Sequence, residues 1–533
     1  MDVIRRIQTR TPQRGRAQAL YQTDPVSPET PGFASARNAI LKPLEDWQVS
    51  PLKNPLEQLQ QRIRAHRAGI PYQPVRPAGE VAARKKEPGP IARLVDAWWT
   101  RLLSSIYEGS LSAQDAEYES GETVRDYLWN TIGVGVWGAV FPILTVVATQ
   151  LAGPEQAGMF SMAFVAGTLL MILSNYGVRT FQVSDIEQTS SFNSYQVNRW
   201  LTSLLALGAG WLYCSVRGYG THMFTLSMGV YIYKIVDGLA DVYEGRLQQE
   251  DKLYLGGISQ ALRSVLVIAV FSVLLFVTRS IGIAAAGMGA AAVASLILVT
   301  VPLALLETDP SAPWRMGEVA GLFRQCFPLF STLFLFNVIE SMPKFAMESM
   351  LPYDAQLYFN ALFFPAQGIL ITAGFMYKPQ LLRLANIWSN PRRRKRFDLI
   401  VLAMLGVIAV ITGVTAIMMS WIGIPVMNFM YGLDFEPYRL LAVLMVCAGG
   451  VTAAIDFIYA IITVLRHQES ATKPYLIAFA CSIVIPTALV ALMGLTGAVI
   501  AYLVTMTILL VLLAISYRSI RTELSSHTRS PFH

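Results

Sequence analysis

Ionisable side chains lie well inside strongly apolar stretches of this sequence, at spacings that place them on shared helix faces. Lys234 and Asp237 are three residues apart, and Glu340 and Lys344 are four apart, so each pair lies on one side of a helix. Arg263 has no evident partner within its own stretch. Charges in an apolar medium are costly and usually face a partner or a polar cavity.

Two kinds of chemistry fit these residues. Arginine offers a bidentate fork and lysine a point charge to a phosphate or diphosphate group, so a cationic cavity would suit an anionic ligand. Alternatively, Lys234–Asp237 and Glu340–Lys344 are ion pairs that lock helices together. Further polar candidates are Asn337, on the face of Glu340, and Asp456, near the middle of its stretch. Asp241 and Glu244 continue the face of Lys234, towards a stretch end where water would solvate them.

The elements that carry these residues are twelve apolar stretches, each near the roughly 20 residues that a helix needs to cross a bilayer. The chain of 533 residues is 53% hydrophobic and 14% charged, with a mean hydropathy of +0.44. We therefore predict an all-α polytopic membrane protein with about twelve transmembrane helices. The predicted spans are 126–149, 155–177, 197–216, 221–244, 255–278, 280–306, 323–346, 353–378, 397–422, 438–465, 474–493 and 496–517.

The rest of the chain divides by composition. Residues 1–90 are rich in proline and weak in apolar periodicity, which is typical of a disordered extension. Residues 1–101 hold 17 Lys and Arg against 9 Asp and Glu, and this basic charge favours contact with anionic membrane lipids. The charges are scattered and lack an aromatic platform, so nucleic acid is not expected as a partner. Residues 91–108 repeat apolar side chains on one helix face, which predicts an amphipathic interfacial helix.

Charge bias and an internal repeat organise the twelve spans. Lys and Arg concentrate on one set of connections, which predicts that both termini lie on the cytoplasmic side of the cell membrane. The pattern Pro154, Ala157, Phe160, Ala163 recurs as Pro352, Ala355, Tyr358, Ala361. Two six-helix halves are therefore predicted over 122–306 and 323–520, with a cytoplasmic linker over 307–322 and a cytoplasmic tail over 521–533.

Several classes of protein are disfavoured by missing motifs. The sequence has no Walker A motif, no HExxH motif and no paired-cysteine set, so we expect no ATPase activity, no metal and no other cofactor. The string Gly133-x-Gly135-x-x-Gly138 lies within a span and has no preceding strand, which favours close helix packing over dinucleotide binding. We expect a protein that is not an enzyme.

Short motifs resemble those of one transporter family. They comprise Gly158-Met-Phe160-Ser-Met-Ala163, Ser174-Asn-Tyr-Gly177-Val-Arg179, the stretch from Glu244-Gly-Arg-Leu-Gln248 to Arg263, Pro343-Lys344-Phe-Ala-Met347, Tyr358-Phe-Asn360 and Phe364-Pro365. Over residues from about 122 to 520 the chain resembles the polysaccharide flippases of the multidrug/oligosaccharidyl-lipid/polysaccharide exporter (MOP) superfamily.

This resemblance implies translocation of a lipid-linked oligosaccharide by alternating access, for synthesis of surface polysaccharide such as lipopolysaccharide. It implies cationic residues that contact the cargo, and the candidates by position are Arg263, Lys344, Lys234, Arg179, Asn337 and Asn360. Asp237, Glu340 and Asp456 are candidates for coupling or for structural pairing. Glycosyltransferases or a polysaccharide polymerase are possible partners.

Three other functions remain open. An ion-coupled multidrug exporter of the same superfamily would use acidic residues, and Asp237 and Asp456 keep that hypothesis open. A major-facilitator transporter would carry a basic Gly-x-x-x-Asp-Arg loop after its second span, whereas this chain has Arg179-Thr-Phe-Gln-Val-Ser-Asp185. A membrane-embedded polysaccharide polymerase or ligase would need a large outer loop with catalytic residues, and the longest outer connection holds only Asp434 and Glu436.

Overall fold

The computed structural model describes residues 121–185, 189–389, 394–465 and 467–527. The predicted extension over 1–90 and the predicted amphipathic helix over 91–108 lie outside these residues. Throughout the described ranges the regular elements are helices, as predicted.

The first half of the protein contains eight helices. They are α1 (Gly121–Ala152), α2 (Pro154–Asn175), the short α3 (Val178–Ser184), α4 (Phe192–Val216), α5 (Thr221–Gln249), α6 (Leu253–Thr278), α7 (Ile281–Ser295) and α8 (Val301–Glu307). A π-helical turn, Leu296–Thr300, joins α7 to α8. It precedes Pro302, whose missing N–H and bulky ring disturb the regular hydrogen-bond ladder.

The second half has a similar order. Its helices are α9 (Met316–Met350), α10 (Asp354–Tyr377), the short α11 (Leu381–Ser389), α12 (Arg394–Met418), α13 (Ile424–Tyr431), α14 (Arg439–Val464) and α15 (Thr472–His527). Helix α9 begins at Met316, inside the segment 307–322 that the sequence assigns to a linker. A short helix thus follows the repeated motif in both halves, α3 after α2 and α11 after α10.

Twelve membrane-length segments result from these helices. Nine described segments have the length and composition to cross a membrane. The last of them contains Gly494, whose φ of 60° and ψ of −133° interrupt the helix, so that segment supplies two spans. Helices α4 and α5, of 25 and 29 residues, are more polar and complete the twelve. The predicted number of spans, including the division between 493 and 496, is confirmed.

The helices pack in pairs within each half, and the two halves contact each other along one boundary. Helix α6 packs on α1 and α7 on α5 in the first half, while α9 packs on α15 and α10 on α14 in the second. The halves meet where α9 and α10 contact α2 and where α9 contacts α4. We call the side where α1 begins the near side, and the side where α2 and α10 begin the far side.

Candidate functional site

A cavity of about 380 Å³ lies on the boundary between the two halves. Helices α1, α2 and α5 line it from the first half, and α9 and α10 line it from the second. Its wall combines aromatic rings with a few polar groups. The lining residues are Trp137, Gly138, Phe141, Pro142, Phe164, Val165, Thr168, Leu169, Lys234, Asn337, Glu340, Ser341, Lys344, Phe363, Phe364, Gln367, Gly368 and Ile371.

Each half contributes one lysine to this cavity, and both lysines are nearly buried, at 3% exposure for Lys234 and 5% for Lys344. The Lys234 Nζ lies 4.2 Å from the ring centroid of Phe164 and 4.9 Å from that of Trp137. The Lys344 Nζ lies 4.1 Å from the ring centroid of Phe363.

Within the described residues, no carboxylate oxygen lies within 4.0 Å of either ammonium, although Asp237 interacts electrostatically with Lys234, and Glu340 with Lys344, at longer range. The proposed structural pairs Lys234–Asp237 and Glu340–Lys344 are therefore not in direct contact in this conformation. Aromatic faces attract a cation but accept none of its hydrogen bonds in the way an oxygen does. Two cationic donors thus remain available to an anion in the cavity.

Glu340 lines the same cavity, and neutral groups hold its carboxylate. Its Oε1 accepts hydrogen bonds from Gln367 Nε2 at 3.0 Å and from the Tyr502 hydroxyl at 3.2 Å. Asn337 also lines the cavity and donates from Nδ2 to the Leu333 carbonyl oxygen at 2.9 Å. The predicted face of Asn337, Glu340 and Lys344 is thus turned towards one space.

Arg263 does not line the cavity, contrary to its proposed contact with cargo. It is 1% exposed, and its Nε donates to Asp237 Oδ1 at 2.7 Å while Nη2 donates to Glu244 Oε1 at 2.9 Å. Both carboxylates belong to the neighbouring helix α5. The expectation that Glu244 is solvated at a helix end is also wrong, because its side chain is 5% exposed within this cluster.

A second cavity, of about 260 Å³, contains Arg179. The Arg179 Nη1 lies 2.5 Å from Asp241 Oδ1, and Nη2 donates to Gln248 Oε1 at 3.0 Å. Asp241 also pairs with the fully buried Arg199, at 2.9 Å. Asn337 lines both cavities, so they adjoin at that residue. The lining residues are Ile172, Asn175, Gly177, Arg179, Thr180, Asp241, Phe330, Leu333 and Asn337.

Two remaining candidates lie away from both cavities. Asn360 is fully buried, and its Nδ2 donates to the Gln356 carbonyl oxygen at 2.8 Å. Asp456 accepts a hydrogen bond from the Tyr377 hydroxyl. The structure therefore brings Lys234, Asn337, Glu340 and Lys344 together and leaves Asn360 and Asp456 apart from them.

Carboxylates at both ends of α9 tie the second half to the first. On the near side, Glu318 Oε2 accepts hydrogen bonds from Ser191 N at 3.1 Å and Ser194 Oγ at 2.7 Å. On the far side, Glu348 accepts hydrogen bonds from Tyr213, at 2.8 Å, and from Tyr219. The buried Glu348 carboxylate also lies 3.2 Å from Arg217 Nη2.

The fold matches solved transporter structures, although the sequence identities are low. An inward closed structure of the lipid II flippase MurJ aligns with a TM-score of 0.55 at 12% identity, over 74% of this chain and 87% of that one. An inward-facing multidrug resistance MATE family transporter of the MOP superfamily aligns with a TM-score of 0.51 at 12% identity, over 76% and 100%. A MOP superfamily transporter from Pyrococcus furiosus, described as having a binding pocket of reverse polarity, aligns with a TM-score of 0.50 at 14% identity, over 76% and 96%.

No protein-family model and no curated protein sequence matches the chain. The resemblance to MOP superfamily proteins that the motifs indicate is thus confirmed in the fold. At 12–14% identity this likeness concerns the fold and does not identify a cargo.

Sequence reasoning missed Trp137, Phe363 and Gln367, which shape the surroundings of the two lysines and Glu340. Trp and Phe are common in membrane spans, so neither residue type by itself indicates a functional site. Trp137 bonds to Asp237 through its indole Nε1, across 100 residues of sequence. A search for helical spacing cannot find such a contact.

Proposed function

We propose that the protein is an alternating-access transporter of the MOP superfamily that moves an anionic, lipid-linked oligosaccharide across the cell membrane. The observation that carries this proposal is the pair of lysines, one from each half, that face a common cavity without a carboxylate in direct contact. An anion that bridges Lys234 and Lys344 would contact both moving parts. Its affinity would then depend on how the halves are arranged, as transport requires.

The composition of the cavity supports a cargo with a charged group and a less polar part. Two lysines against Glu340 give the lining residues a net positive charge, which suits a phosphate or diphosphate. The aromatic rings and the polar side chains of Asn337 and Gln367 suit a sugar. Lipid II flippase is one of the activities carried by the matched fold.

The direction of movement follows from the proposed orientation. With the termini and the near side in the cytoplasm, as the Lys and Arg bias predicts, cargo would enter from the inner leaflet and leave at the outer one. Glycosyltransferases would supply it and a polymerase would use it. The basic segment 1–90 would then lie beside the anionic inner leaflet.

Binding of inorganic diphosphate to the purified protein in lipid nanodiscs tests the proposal. We expect Lys234→Met and Lys344→Met each to weaken affinity by at least about tenfold, since each removes a charge-assisted contact. The exposed Lys378 provides a matched control, because Lys378→Met should leave affinity unchanged. Unchanged affinity in both cavity variants would refute the anion site. Surface polysaccharide in cells that carry the same variants tests the transport step.

A multidrug exporter is the second candidate, and Glu340 is the observation that favours it. A carboxylate in the cavity is suited to an organic cation or a proton, and multidrug transporters share the fold. Asp237 and Asp456, which the sequence offered for this role, line neither cavity described above. The two candidates predict opposite consequences of neutralising Glu340.

A further inference from the structure

Lys234 has a potential carboxylate partner one helical turn away, yet the two groups form no direct ion pair. Asp237 follows it at i+3 on α5, a spacing at which opposite charges normally attract. Both side chains approach Trp137, the lysine over the indole ring and the aspartate at the indole nitrogen. Some feature of the structure must therefore keep Asp237 from Lys234.

Both oxygens of Asp237 are already engaged. Oδ1 accepts a hydrogen bond from Arg263 Nε at 2.7 Å, and Oδ2 accepts one from Trp137 Nε1. The arginine is fixed in turn, because its Nη2 donates to Glu244 at 2.9 Å and its Nη1 donates to Thr300 Oγ1 at 3.4 Å.

We propose that Arg263 sets the charge of the cavity without contacting cargo. By holding Asp237, it leaves the Lys234 ammonium free for an anion, so Arg263 is a positioning residue that acts through Asp237. This inference rests on the proposed function, because it assumes that Lys234 binds the anionic group. It reassigns the residue that the sequence places first among the cargo ligands.

The physical reason is that a buried carboxylate cannot remain unpaired at low cost. If Arg263 is neutralised, Asp237 has Lys234 as its nearest cation along α5. The lysine would turn towards it and neutralise it. The cavity would then keep Lys344 as its available cation and would lose affinity for anions, although no residue that lines it has been changed.

Two double variants separate this role from a general structural one. Arg263→Gln alone should weaken diphosphate binding in nanodiscs about as much as Lys234→Met, at least about tenfold. Adding Asp237→Asn removes the competing carboxylate, so D237N/R263Q should return to within about threefold of wild type. E244Q/R263Q removes the other carboxylate that Arg263 holds and leaves Asp237 charged, so it should stay weak.

The two doubles have the same net charge and alter the same cluster, so a merely structural role would affect them alike. Equal recovery of diphosphate affinity in the two double variants would overturn the proposal. Weak diphosphate binding in both double variants would also overturn it, provided that Lys234→Met binds weakly as well. If Arg263→Gln does not fold, the comparison of the two doubles with wild type decides the matter. Arg263→Lys should keep nearly full affinity, because a cation still faces Asp237. Failure of the proposed function has a different signature, namely unchanged affinity in Lys234→Met and Lys344→Met.

Discussion

Glu340 distinguishes the two proposed kinds of cargo, because among the described residues lining the cavity it is the carboxylate beside two lysines. Gln367 and Tyr502 hold it through hydrogen bonds that a glutamine side chain would largely keep. Replacing it therefore changes charge with little change of shape. An anionic cargo should benefit from this change, and a cationic one should suffer.

We expect Glu340→Gln to tighten diphosphate binding by about tenfold, since removing a like charge from the lining of the same partly buried cavity is worth about 1 kcal/mol or more. Binding should be measured in nanodiscs beside an organic cation such as a tetraphenylphosphonium salt. Glu436→Gln is the control, because Glu436 is exposed and pairs with Arg439 outside the cavity. Weaker diphosphate binding together with a loss of cation binding would favour the multidrug exporter.

Individual site residues were predictable where their partners share a helix. Asn337, Glu340 and Lys344 turn to one cavity, as the spacing on α9 predicts. The position of Arg263 outside the cavity was not predictable, because its partners Asp237 and Glu244 lie on the preceding helix. One sequence reveals which residues share a face, but it does not reveal which face of the next helix meets it.

At the scale of helices, the close approach of α2 and α10 on the far side depends on Gly158. A Cβ placed on this residue would lie 1.8 Å from the carbonyl oxygen of Tyr353, a backbone atom that cannot move aside alone. The starts of the two repeated motifs, near Pro154 and Pro352, thus meet across the boundary between the halves.

We expect Gly158→Ala to destabilise the protein by about 1–3 kcal/mol, the usual cost of forcing an extra group into a packed contact. A thermal unfolding measurement in detergent should show a lower melting temperature. Gly208→Ala on α4 is the control, since no atom lies within 4 Å of its added Cβ, and alanine favours a helix over glycine. An equal melting temperature for both variants would contradict the close contact of α2 with α10.

Helices were the part of the fold that the sequence predicted best, because bilayer-length apolar runs have few other structural solutions. The short helices α3 and α11 were not predicted, since seven and nine residues hold too few turns to show a period. The π-helical turn Leu296–Thr300 was also missed. Such a turn changes the backbone hydrogen bonds but leaves the apolar composition of the span unaltered.

At the scale of the whole molecule, hydrogen bonds connect both ends of α9 to the first half. Glu318 holds the near side through Ser191 and Ser194, and Glu348 holds the far side through Tyr213 and Tyr219. The proposed alternating access requires that the two ends open in turn. Each carboxylate should therefore stabilise the closed state of its own side.

Removing the carboxylate at one end of α9 should have the opposite effect on the open states from removing the carboxylate at the other end. Glu348→Gln removes the charge that Arg217 and two tyrosines share on the far side, so we expect a larger population open on that side. Glu318→Gln should instead enrich the state open on the near side. Distances between spin labels report this balance, with one label pair at Thr221 and Asp434 on the far side and another at Asp251 and Ser519 on the near side.

The far-side distance should lengthen and the near-side distance should shorten in Glu348→Gln, with the reverse in Glu318→Gln. The exposed Glu155, at the far-side start of α2, supplies the matched control, because Glu155→Gln removes a charge from the same side without breaking a bond between the halves. Shifts in the same direction for both variants would mean that the carboxylates only stabilise the fold. Opposite shifts would mean that contacts at the two ends of α9 set the balance between the two open states. Because Lys344 lies on α9 itself, a cargo anion bound to Lys344 would then act on both ends.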